Sequence, residues 1–117
     1  MGLPDELLYL ESALREIADP DRAVEMSAYL KDQFRMLGVA TPQRRAAVRA
    51  SISTTSTPPR ADLVTAVEVL FDHDEREFHY CGVDLVRRWQ RVLTVDDLPW
   101  LGGLVTTNSW WDTVDAL

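Results

Sequence analysis

Leu7-Leu8-Tyr9-Leu10-Glu11-Ser12-Ala13-Leu14-Arg15-Glu16-Ile17-Ala18-Asp19-Pro20 is the stretch on which the fold turns. Leu7, Leu10, Leu14 and Ile17 recur at three and four residues, the spacing of one helical face. The closing Asp19-Pro20 pair reads as the N-cap of a second helix with proline in its first turn. Met26, Leu30, Phe34 and Leu37 carry the same spacing onward, which predicts that this second helix runs to Gly38, the residue just past its end. Thr41 is then expected to cap a third helix with Pro42 in its first turn. Its small positions Ala46, Ala47 and Ala50, beside Val48 and Ile52, predict close packing. The Ser, Thr and Pro stretch from Ser51 to Pro59 is a loop, too short for a domain linker.

Helical spacing resumes over about 61–71 and again over about 74–93, through Phe78, Leu85, Trp89 and Val92. Thr94 with Asp97, and Ser109 with Asp112, are capping boxes opening a sixth and a seventh helix. No segment reads as a strand. The seventh helix meets no glycine, asparagine or proline stop before Leu117, so the chain is expected to be the N-terminal part of a longer fold. The fold expected for 1–117 is a single all-α domain of about seven helices. It is a HEAT-like helical repeat array, an α-solenoid of helix pairs spaced roughly 40 residues apart.

The 117 residues are 46% apolar and 26% charged, which excludes disordered and collagen-like classes. One cysteine, Cys81, makes no internal disulfide, and the first ten residues carry no signal-peptide pattern, so a cytoplasmic location is expected. Charges recur too often for a membrane span, and no membrane partner is expected. The net charge is −7, but it is unevenly spread. From Lys31 to Arg60 there are six bases and one acid; the rest of the chain holds six bases and eighteen acids. Thr41 at a helix N-terminus, with Arg44, Arg45 and Arg49 in the next two turns, suits phosphate contact through backbone amides and guanidinium forks. A solvated basic face that balances an acidic protein would have the same composition. Arg87 and Arg91 share a face, and Asp84 three residues before Arg87 reads as its intrahelical partner.

His73, His79 and Cys81 do not converge on one helix face, so no metal site is read from them. Asp72, Asp74, Glu75 and Glu77 read as acids at a helix start. The densest unusual segment is Asn108-Ser109-Trp110-Trp111-Asp112-Thr113-Val114-Asp115. On a helix Trp111 and Asp115 share a face, an indole beside a carboxylate, while Trp110, Val114 and Leu117 line another. That pairing can cover a flat cationic ligand and stabilise a sugar that becomes oxocarbenium-like as its base departs. From spacing alone the simpler reading is that both tryptophans are core or interface anchors and both aspartates N-terminal helix acids.

Met26-Ser27-Ala28-Tyr29-Leu30-Lys31, Phe34-Arg35-Met36-Leu37-Gly38-Val39, Thr41-Pro42-Gln43-Arg44-Arg45, Glu75-Arg76-Glu77-Phe78 and Ser109 to Asp115 occur in this order. Together they resemble the DNA alkylation repair family of HEAT-like DNA glycosylases. The resemblance implies excision of cationic N3- or N7-alkylated purines from double-stranded DNA by glycosidic hydrolysis, without base flipping and without metal or redox cofactor. It assigns Trp111 to contact the sugar and modified nucleotide, and Asp115 to stabilise charge and orient water. DNA contact falls to Tyr29, Thr41, Arg44, Arg45, Arg49 and Ser109. An arginine that the family carries further on has no counterpart within these 117 residues. Ala40 and Asn108 stand where relatives carry a polar residue and often a lysine, which implies weaker DNA contact. The alternative is a helical-repeat module that binds DNA or protein without chemistry, and the open end of the stack is a candidate surface for self-association.

Overall fold

The computed structural model describes residues 3–31, 34–53 and 55–107. They form six α-helices: α1 (Leu3–Glu16), α2 (Pro20–Tyr29), α3 (Thr41–Ile52), α4 (Arg60–Phe71), α5 (Arg76–Arg88) and α6 (Leu98–Thr107). Two 3-10 turns, Gln90–Val92 and Val95–Asp97, join α5 to α6. The expected seventh helix lies outside the described residues. Helix α1 packs on α3 and α4, and α5 packs on α4 and α3. Two helix pairs are therefore stacked, α1 over α4 in one layer and α3 over α5 in the other: an all-α helical repeat arrangement, as expected.

Leu3, Leu7, Leu10 and Leu14 of α1 are all buried, and Leu63, Val67, Leu70, Phe78 and Leu85 meet them in one continuous core. Gly82 lets α5 approach α4 closely, because a Cβ there would lie 2.6 Å from the Phe71 ring. A hydrogen bond between His73 Nε2 and Glu11, and an ion pair from Arg15 to Glu75 at 3.3 Å, tie α1 to the turn before α5.

The second helix is shorter than its periodicity predicts. Asp19 caps it as expected, its carboxylate accepting from the amides of Asp21 and Arg22. The helix ends at Tyr29, Lys31 turns the backbone with φ 56°, and no α2 residue is buried. Phe34 to Ala40 then runs without helix, bridging Arg35 to Glu75 as an isolated parallel pair. Gly38 is required there by a close crossing, not by a helix end. Its φ is +88°, the Leu37 carbonyl accepts from the Asp19 amide, and a Cβ at Gly38 would lie 1.9 Å from the Asp19 carbonyl oxygen.

In α3 the N-cap is Ala40, with no side-chain cap bond, and Thr41 is the first helical residue. The buried stripe is Arg44, Val48, Ser51 and Ile52; of the three small residues expected to pack closely, Ala47 lies against the core, whereas Ala46 and Ala50 face solvent. The fifth helix stops at Arg88, short of the expected Leu93, and gives way to the 3-10 turn Gln90–Val92.

The Thr94 capping box is present. The Thr94 amide donates to Asp97 Oδ2 at 2.8 Å, and Asp97 Oδ1 accepts from Arg60 Nε at 2.6 Å, stapling the start of α6 to the start of α4. The Arg60 hydrogen bond, then the Thr94 amide, hold the Asp97 carboxyl below its ordinary 3.8. A depressed folded-state pKa contributes stability that is present above the unfolded value and lost as pH falls through the folded one. The melting temperature of Asp97→Ala is therefore expected several degrees below wild type at pH 7, with the gap closing below about pH 4. Thermal melts of both proteins from pH 7 to pH 2.5 check this, and a gap that does not change with pH would remove the ion pair from the account.

Candidate nucleic-acid interface

Alpha-helical periodicity places Arg44, Val48 and Ile52 in one row of α3, and Arg45 and Arg49 in the next row round. The fold buries the first row. Arg44 is 8% exposed, its Nε donates to Asp84 Oδ2 at 3.1 Å, and its guanidinium lies 5.0 Å from the Tyr80 ring centre. A guanidinium committed to a carboxylate and an aromatic face is part of the α3–α5 contact, and its expected phosphate contact does not fit that setting. Asp84 likewise pairs across helices with Arg44, not along its own helix with Arg87.

The second row is open. Arg45 and Arg49 are exposed and, with Arg88 of α5, rim a hollow of about 160 Å³ whose floor includes Val48 and Ile52. Among the described residues, none of Arg45, Arg49, Arg88 or Arg91 pairs with a carboxylate. Thr41 and Tyr29 are also exposed, at the first turn of α3 and the last residue of α2. Ser109, Trp111 and Asp115 lie outside the described residues, ten positions or fewer beyond Thr107, the end of α6.

The segment that leads into α3 is held by Glu77, which by sequence is only an acid at a helix start, and by Arg76 beside it. Glu77 is wholly buried. Its carboxylate accepts from three successive backbone amides, Leu37 at 2.9 Å, Gly38 at 2.9 Å and Val39 at 3.2 Å. Consecutive amides of this kind make an anion-binding concavity, here filled by the protein's own carboxylate. Arg76, also fully buried, donates its backbone amide to the Arg35 carbonyl at 2.8 Å. Its guanidinium lies 3.9 Å from the Phe34 ring centre and 3.1 Å from His79 Nδ1. The arginine can only donate, so His79 Nδ1 accepts and the ring proton sits on Nε2, which donates to the His73 carbonyl at 2.6 Å. Cys81 is buried within α5, and burial raises its thiol pKa, so it stays protonated and inert.

Residues 10–117 match the family model of the DNA alkylation repair enzymes. The chain belongs to the DNA alkylation repair enzyme family. A solved structure of a predicted DNA alkylation repair enzyme from Enterococcus faecalis is similar, with 30% sequence identity and a TM-score of 0.78. The match covers 85% of this chain and 46% of that one, so the chain spans less than half the length of this relative. No curated protein matches.

Within this DNA alkylation repair chain, sequence reading missed Glu77, Asp84 and Arg88 as parts of the interface and its support. Glu77 had a legible signal. It lies four residues before Cys81 and eight before Leu85, so a charge stands in the core stripe of α5, and a charge there needs buried donors. Arg44 had the same signal in the Val48 row. Arg88 had none, since its approach to Arg45 and Arg49 exists only once α3 and α5 are packed.

Proposed function

We propose that this member of the family acts as a DNA glycosylase with HEAT-like repeat architecture, hydrolysing the glycosidic bond of cationic N3- or N7-alkylated purines in duplex DNA without base flipping. The observation that carries the reading is the row of arginines on the α3–α5 layer that have no carboxylate partner among the described residues, in a chain of net charge −7 and of this family. In the reaction the C1′–N bond breaks and its electron pair passes to the base nitrogen, which discharges the alkylated base as a neutral leaving group. A water oxygen then bonds to C1′ and loses its proton to solvent, leaving an abasic hemiacetal. Asp115 stabilises the positive sugar and orients that water, and Trp111 covers the sugar and the modified nucleotide. No metal or redox cofactor is required by this chemistry.

Arg45, Arg49, Thr41, Ser109 and Tyr29 serve as DNA contacts in this reading, whereas Arg44 holds α3 to α5. The site of action is cytoplasmic chromosomal DNA. Self-association through the α6 end belongs to the same proposal, supported by Val95 and Leu98 at 77% and 61% exposure. The experiment is release of 7-methylguanine or 3-methyladenine from methylated duplex DNA, with binding measured in parallel. Release above the spontaneous rate supports the enzyme; binding without release would mark a lesion or backbone reader instead.

A further inference from the structure

Two hollows, one between α3 and α5 and one beside the 3-10 turn that follows α5, share Arg88 in their linings. The first is rimmed by Arg45, Arg49 and Arg88; the second, of about 380 Å³, is lined by Thr57, Arg88, Trp89 and Arg91 among others. Arg88 therefore stands between them, its guanidinium 5.7 Å from the ring centre of the buried Trp89. Arg88 shares one hollow with Arg45 and Arg49 and the other with Arg91, and among the described residues that line them the one carboxylate, Asp84, is committed to Arg44. Such an arrangement is relieved by an anionic ligand, and two adjoining hollows divided by a cation fit a chain of anions better than one small ion.

We propose that Arg45, Arg49, Arg88 and Arg91 form one continuous track for consecutive phosphodiesters of a single DNA strand, with Arg88 bridging adjacent phosphates. Guanidinium forks match phosphate oxygens, and the apolar Val48 and Ile52 floor suits the carbon face of the deoxyribose between them. Guanidinium forks engaged by phosphates are not available to base edges, so the track fixes register and not sequence. The inference rests on the DNA reading above and adds Arg88 and Arg91, which that reading does not need.

The test is fluorescence anisotropy of the full chain with a labelled, unmodified 20-base-pair duplex (about two helical turns) over a salt series, with circular dichroism of each variant. Arg88→Ala is expected to weaken binding about tenfold and to lower the slope of log affinity against log salt by about one. Arg88→Lys should keep the slope, and Arg15→Ala, off the track, should change neither quantity. Wild-type binding with Arg88→Ala and Arg91→Ala both within twofold of it would remove the track and leave the DNA reading standing. Absence of salt-sensitive binding by wild type would remove both. Competition by polyglutamate equal to that by DNA of the same charge, lost equally in Arg88→Ala, would reassign the surface to an acidic protein and overturn the proposal.

Discussion

Glu77→Ala is expected to cost about 4 kcal/mol or more of folding stability, a large share of the roughly 5–15 kcal/mol that a domain commands. The substitution strips the acceptor from the amides of Leu37, Gly38 and Val39, two of which make buried bonds to it. Each buried donor left without a partner costs roughly 1–3 kcal/mol, and the deleted side chain leaves a cavity as well. Glu77→Gln keeps the shape and one acceptor oxygen but turns an NH2 group toward an amide, so an intermediate loss is expected. Urea unfolding of the three proteins measures the effect, and amide exchange should quicken first at 37–39. A loss under about 1 kcal/mol in Glu77→Ala would mean that water replaces the carboxylate and that the cradle is incidental.

Asp115→Asn is expected to reduce release of alkylated purine by about a hundredfold or more, while duplex binding stays within a few-fold of wild type. An amide nearly matches the carboxylate in shape yet carries no charge to set against the developing oxocarbenium ion, so the loss should fall on the chemical step. Release equal to wild type would sink the assigned chemistry without touching the family membership, which rests on residues 10–117 as a whole. Trp111→Ala should weaken both binding and release, because a ring that covers the nucleotide contributes before and during bond breaking.

The helical spacing, the Asp19 cap and the Thr94 capping box were legible because each is a matter of neighbours three or four residues apart, and the structure has all of them. The end of α2 was not. Periodicity carries Phe34 and Leu37 into the helix, but the amides at 37–39 bond better to a buried carboxylate forty residues away than to carbonyls one turn back. For the interface, the sequence marked a basic stretch and could not say which arginine faces water. Arg44 and Arg45 are adjacent in the chain, yet one lies in the α3–α5 contact and the other on the rim of the hollow.

By itself, then, the sequence determined an all-α fold, the Asp19 and Thr94 caps, the concentration of positive charge between Lys31 and Arg60, and the motif order of a DNA alkylation repair protein. Those properties are local or compositional. Only the tertiary structure decided that Arg44 is held by Asp84, that Glu77 fills a cup of backbone amides, and that Arg88 joins Arg45 and Arg49 around one hollow. The reason is that burial and charge pairing depend on which helix faces meet, and that is settled when α1, α3, α4 and α5 close on a shared core.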